Sequence, residues 1–190
     1  MVKRRRSSYL QPGFTLIELL IVISIIGILA GLLFINFGGV RERGRDAARK
    51  NDLRQLKTAL RLYYNDYQRY PFSSTGAPSY AIRACNKSAG ADPDDPDPAN
   101  FSVCQWGATF TDDVQYMELP QDPLNTGDYV YRYEMTNDGE SFNLCALLEN
   151  TSDSQAQESR ESCGFTDAQQ APCGITSSVV FERLYMQCSN

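Results

Sequence analysis

The sequence predicts an α+β fold: one long N-terminal helix whose first half spans a membrane and whose second half packs on a small antiparallel sheet of about three to four strands. Three observations predict it. An apolar run fills residues 14–37, a leucine and tyrosine pattern at helical spacing follows to residue 70, and period-two aromatics begin at Tyr129.

The apolar run from Phe14 to Phe37 is interrupted only by Thr15, Glu18, Ser24, Asn36 and small residues. A bilayer needs roughly 20 such residues for a spanning helix, and in lipid a lone span must be helical to satisfy its own backbone. Glu18 is the anomaly. A carboxylate inside a membrane segment costs on the order of 2.5–3.5 kcal/mol near the helix centre, so it is functional by default and needs a partner. Lys3, Arg4, Arg5 and Arg6 precede the run, and Gly13 abuts it. A secretory signal carries its cleavage site after the apolar core. Here the plausible processing site lies before it, so cleavage leaves the helix on the mature chain.

The junction Gly13-Phe14-Thr15-Leu16-Ile17-Glu18 resembles the prepilin leader junction of type IV pilins and type II secretion pseudopilins. The resemblance implies a type IV pilin fold. It also implies a leader over residues 1–13, cut between Gly13 and Phe14 by a prepilin peptidase, and methylation of the new Phe14 amine. Glu18 would then neutralise the terminal amine of a neighbouring subunit, which agrees with the rule that a buried carboxylate is tolerated when paired. The partners so implied are further copies of the chain, other pilins or pseudopilins, the peptidase, and an inner-membrane assembly platform with its ATPase. The implied location is the inner membrane before assembly, with the globular part outside the cytoplasm, and a periplasmic or extracellular filament afterwards.

From Arg41 to Tyr70 the helical pattern continues, with Leu53, Leu56, Leu60, Tyr63 and Tyr67 on one face and Arg, Lys, Asp and Gln on the other. The spacing predicts one helix from Phe14 to about Tyr70, roughly 57 residues and about 85 Å long. Residues 38–70 form its amphipathic half. Gly38, Gly39 and Gly44 weaken it by about 0.8–1 kcal/mol each, so Gly38-Gly39 is either a melting point or a tolerated pair. Gly27 and Gly31 permit close helix contact, though that spacing is common. Tyr70-Pro71 ends the helix.

Residues 71–190 form the globular region. Residues 71–118 read as a long connection. Within it, Asp92, Asp94, Asp95 and Asp97 alternate with prolines in an exposed loop. They are weak calcium candidates, since clustered carboxylates suit that ion but their spacing fits no standard loop. No cofactor is expected. Leu119-Pro120-Gln121-Asp122-Pro123 leads to a strand over Tyr129–Met135, a turn at Asn137-Asp138-Gly139, and a returning strand over Phe142–Glu149. That order resembles the globular domain of major pseudopilins as far as residue 149. Residues 150–162 read as a polar excursion, and Ser177–Gln187 as a last strand.

Cys85, Cys104, Cys145, Cys163, Cys173 and Cys188 all follow the apolar run, and the chain has no histidine. An even count beyond an anchor suggests three disulfides among 15 connectivities, with free thiols as the alternative. The expected pairing is Cys85–Cys104, Cys163–Cys173 and Cys145–Cys188. The cysteine-bracketed end is similar to that of type IV pilins.

Charge narrows the function. The chain of 190 residues has formal charge −5; without the leader's four basic residues, 14 Lys and Arg face 23 Asp and Glu, a balance of −9. That speaks against a broad nucleic-acid footprint. Basic residues flank both ends of the apolar run, so the positive-inside rule favours a cytoplasmic N-terminus only slightly. Sequons at Asn86, Asn100 and Asn150 are too short a pattern to carry an argument. Without histidine, phosphate loop or nucleophile elbow, and with Asp112-Asp113 reading as solvated surface, no catalytic residue is expected. The reading is a filament subunit, a pilin, with a major pseudopilin or a non-polymerising anchored binding module as alternatives.

Overall fold

In the computed structural model the described residues are 13–34, 37–74, 80–85, 101–111, 114–167, 172–175 and 177–189. The chain divides into two compact units at Val40–Arg41. The first holds α1, Leu16–Phe34. Its large apolar side chains are exposed on every face, including Leu16, Ile17, Ile23, Ile26 and Ile28. The Ser24 hydroxyl donates to the Ile21 carbonyl at 2.7 Å, so the helix satisfies its own polar group. Among the described residues no helix is long and apolar enough to cross a membrane. The span expected over 14–37 exceeds α1, whose 19 residues rise about 28 Å, just under a hydrocarbon core of about 30 Å.

The second helix, α2, runs Phe37–Tyr67. Gly38, Gly39 and Gly44 lie inside it with nothing near enough to meet an added Cβ. It stops short of the expected Tyr70 because Gln68 adopts φ of 54°, and a left-handed residue breaks the α ladder before the proline does. Leu53, Leu56, Leu60 and Tyr63 are buried, as their three- and four-residue spacing requires.

The segment 71–118, expected to be a plain connection, carries five short strands. They are β1 (Phe72–Ser73), β2 (Ile82–Cys85), β3 (Ser102–Val103), β4 (Thr109–Thr111) and β5 (Gln115–Glu118). β1, β2 and β3 form one antiparallel sheet, and β4 and β5 a hairpin. Strands this short leave little alternation to read. The main sheet is β6-β7-β8: Arg132–Thr136, Ser141–Leu147 and Leu184–Cys188. The hairpin β6-β7 closes through a tight turn at Asn137–Gly139, with Met135 facing Phe142 and Tyr133 facing Leu144. The described fold thus has eight strands in three sheets rather than three or four in one.

Period-two alternation divides the main sheet between two clusters. Leu144, Ala146 and Tyr185 join the α2 leucines, Tyr131, Tyr133 and Phe142. Cys145, Leu184 and Met186 join Cys173, Ile175 and Phe181. The C-terminal region is the source of the second cluster, and two expectations fail there. Residues 150–162 contain a helix, α3 (Ser154–Ser162), started by Asp153, whose carboxylate accepts the Gln155 N–H at 3.0 Å. Arg160 of α3 donates to the Glu182 and Leu184 carbonyls, and Met186 donates its N–H to Ser159 Oγ. Ser177–Gln187 is not one strand. It opens with a short helix, α4 (Ser178–Glu182), and becomes β8 only at Leu184. Val179 and Val180 favour a strand, but Arg160 stacks on the Phe181 ring at 4.7 Å and packing overrides propensity.

All three disulfides form, but the pairing differs from that expected. Cys85 joins Cys104, Cys145 joins Cys173, and Cys163 joins Cys188. Cys163 and Cys173 share one cluster but meet different strands. Cys163 ends α3, which lies on β8 beside Cys188, and Cys173 lies over β7 beside Cys145.

Candidate assembly and processing site

Gly13, Phe14 and Thr15 precede α1 in irregular backbone and are exposed; Phe14 is 83% exposed. A peptidase must reach a peptide bond outside a helix, and Gly13–Phe14 meets that condition. Thr15 and Glu18 form a reciprocal cap. The Thr15 hydroxyl and N–H donate to Glu18 Oε2 at 2.6 and 2.9 Å, while the Glu18 N–H donates to Thr15 Oγ1 at 3.3 Å. Such a box holds the carboxylate over the start of the helix, beside Phe14. Both bonds fall on Oε2, so Oε1 stays open among the described residues. Residues 1–12 of the expected leader and the calcium candidates Asp92, Asp94, Asp95 and Asp97 lie outside the described residues, as do Asp112-Asp113, Asn86 and Asn100. Among the described residues no cluster could hold a metal ion.

The second unit contains a charge cluster that reading by periodicity misses, because it assigns every Arg and Asp of α2 to the solvent face. Arg49 is completely buried. Its guanidinium grips Asp122 with two bonds, Nε to Oδ2 at 2.7 Å and Nη2 to Oδ1 at 3.0 Å. Nη1 donates to Asp46 Oδ1 at 2.7 Å and Glu149 Oε1 at 2.6 Å. Asp46 in turn accepts the backbone N–H groups of Glu149 and Asn150, both at 2.9 Å. Arg45 also binds Glu149, through Nε at 2.7 Å and through Nη2. Burial opposes the charge on Arg49, but Asp122, Glu149 and Asp46 outweigh it and raise its pKa. The hydrogen bond from Arg45, helped by Arg49, brings the Glu149 carboxyl down to about 2. Asp122 comes from the Leu-Pro-x-Asp-Pro segment, so this cluster ties that loop and the end of β7 to α2. The pair Asp46-x-x-Arg49 is the signal that could have found it.

The exposed junction, the capped glutamate and the otherwise largely apolar helix together define the class of pilin-like filament subunits. The prokaryotic N-terminal methylation motif matches residues 10–34. Type II secretion system core protein G of Pectobacterium carotovorum is 30% identical over 71% of this chain and 72% of its own length. Core protein G of Aeromonas hydrophila is 34% identical over 65% and 71%. The type IV major pilin protein PilA of Myxococcus xanthus is 43% identical over 30% of this chain and 26% of its own. No solved structure matches the chain. The chain belongs to the type II secretion system core protein G family, within the pilin and pseudopilin class. It is a structural subunit of a type IV pilus-like filament.

Proposed function

We propose that this chain is a major pseudopilin, cut between Gly13 and Phe14, methylated at Phe14, and assembled by pairing of Glu18 with the Phe14 amine of a neighbour. The open Oε1 of Glu18, held beside the cleavage junction on a helix with no polar face, is the observation that carries the reading. A cation is the natural occupant, and the chain's own new amine supplies one. The exposed apolar surface of α1 asks for lipid before assembly and for other helices afterwards. Residues 14–37 would anchor the subunit, with residues 38–70 leading to the globular region. A prepilin peptidase, an assembly platform and its ATPase would be the partners, and the protein would act as a subunit without catalysis. The secretion role rests on the extent of the likeness, which covers 71% of the chain for core protein G against 30% for PilA. One observation favours a surface pilus instead: two disulfides staple the C-terminal region, as an exposed filament would need.

The test is mass spectrometry of the subunit's N-terminus, with electron microscopy of sheared cells and an export assay in a deletion strain. Methylated Phe14 at the N-terminus with failed export and no surface filaments is the expected result. Long surface filaments with intact export would point to the pilus, and a retained leader would remove the assembly mechanism.

A further inference from the structure

A cavity of about 480 Å³ opens on the second unit, lined by Tyr80, Gln105, Trp106, Gln121, Asn125, Val130, Tyr131 and Arg132. Its volume falls within the roughly 300–1,000 Å³ of small-molecule sites. We propose that it binds a neutral mono- or disaccharide. The filament reading does not require it.

The lining is built in advance. Trp106 sits at the tip of a turn in which Ala108 N–H donates to the Gln105 carbonyl at 3.0 Å, and Gly107 at φ of 86° takes a conformation that residues with a Cβ rarely adopt. Cys104, next to that turn, is cross-linked to Cys85. The Trp106 ring meets Tyr131 edge-on at 5.8 Å, and the Tyr131 hydroxyl donates to Asp52 at 2.6 Å, fixing the second aromatic wall. Asp122 Oδ1 accepts the Leu124 N–H at 2.9 Å and the Asn125 N–H at 3.4 Å, so the buried cluster shapes this rim too. Tyr80 and Asn125 both take left-handed φ, 59° and 47°. For a bulky Tyr that is a true outlier, and such strain concentrates at binding sites. Gly174 makes room for Tyr80: a Cβ there would collide with the Tyr80 ring and hydroxyl.

The chemistry selects the ligand. No carboxylate lines the cavity, and its one charge, Arg132, already donates to the Cys173 carbonyl and Asp128. The amides of Gln105, Gln121 and Asn125 and the Trp106 N–H have no hydrogen-bond partner among the described residues. Each amide offers donors and an acceptor, as vicinal hydroxyl groups require. Aromatic rings supply the flat apolar surface on which the C–H faces of a sugar rest. A peptide side chain would find one aliphatic wall, Val130.

Trp106 is the chain's single tryptophan, so its emission reports on this site alone. Full-length protein in a zwitterionic detergent without a sugar head group would be titrated with lactose, cellobiose and diacetylchitobiose, with glucuronate and a short Gly/Ser peptide for comparison. Saturation-transfer NMR would follow each ligand directly. The expected result is a saturable emission change with a neutral sugar, weakened about five- to tenfold by Gln121→Ala, which removes one hydrogen-bonding group. Loss of the NMR signal is expected in Trp106→Ala. Gln121 is exposed, so that variant stays informative if Trp106→Ala misfolds. No saturable response to any neutral sugar, binding unchanged in Gln121→Ala, or saturation by glucuronate or the peptide alone would overturn the proposal.

Discussion

At the scale of the residue, one carboxylate and one guanidinium carry the contrast between what a sequence states and what it conceals. Glu18 stands out because it is the one charge in a run of apolar residues, so a single line of text exposes it. Arg49 sits among other charges on an amphipathic helix and looks like any solvated side chain. Only the arrival of Asp122 and Glu149, 73 and 100 residues away, reveals it as the hub of a buried cluster. Removing one member of such a cluster strands the others, so Arg49→Ala should destabilise the protein by about 3–5 kcal/mol, read from urea unfolding. The Glu149 carboxyl gives the cluster a pH dependence. Its folded pKa, near 2, lies below its ordinary 4.5, so its contribution is present above pH 4.5 and is lost as pH falls towards 2. Urea midpoints should drop across that window, and less so in Glu149→Gln.

At the scale of the element, legibility followed length and periodicity. The apolar helix and the leucine face of α2 declared themselves, as did the β6-β7 hairpin, because each repeats its signal over several turns or pleats. The five strands between residues 72 and 118 run two to four residues each, too short for a period to emerge. Residues 150–188 misled for a different reason: Ser154–Ser162 is polar enough to resemble a loop, and Val179-Val180 β-branched enough to resemble a strand. In both places tertiary partners decided, Ser159 and Arg160 against β8 in one and Arg160 under Phe181 in the other. The same packing set the cysteine partners. A Cys163→Ser/Cys188→Ser pair should release α3 from β8 and cost about 2–4 kcal/mol by thermal or urea unfolding. Non-reducing peptide mapping of the parent chain should return Cys145 with Cys173.

At the scale of the whole molecule, the two units have opposite needs: the first exposes apolar surface that must be covered, and the second is closed around its own core. Assembly should therefore depend on the first while stability resides in the second. Glu18→Ala should leave the unfolding of the globular unit unchanged yet abolish or greatly reduce filaments scored by electron microscopy. Arg49→Ala should lower subunit abundance with Glu18 intact. The class was legible from the N-terminal residues alone. The choice between secretion and a surface pilus was not, because both use the same helix and differ in what the globular unit meets.

The disulfides Cys145–Cys173 and Cys163–Cys188 overlap in sequence, each closing after the other has opened. Under tension between the chain's two ends, only the segment between Cys163 and Cys173 of the stretch 145–188 stays in the load path: the covalent path crosses from Cys145 to Cys173, back to Cys163 and on to Cys188. An oxidised subunit pulled in a single-molecule instrument should lengthen mainly through residues before Cys145, and gain a longer step once a reductant is added. A filament subunit under load would thus yield in residues before Cys145 and keep the stapled stretch 145–188 folded.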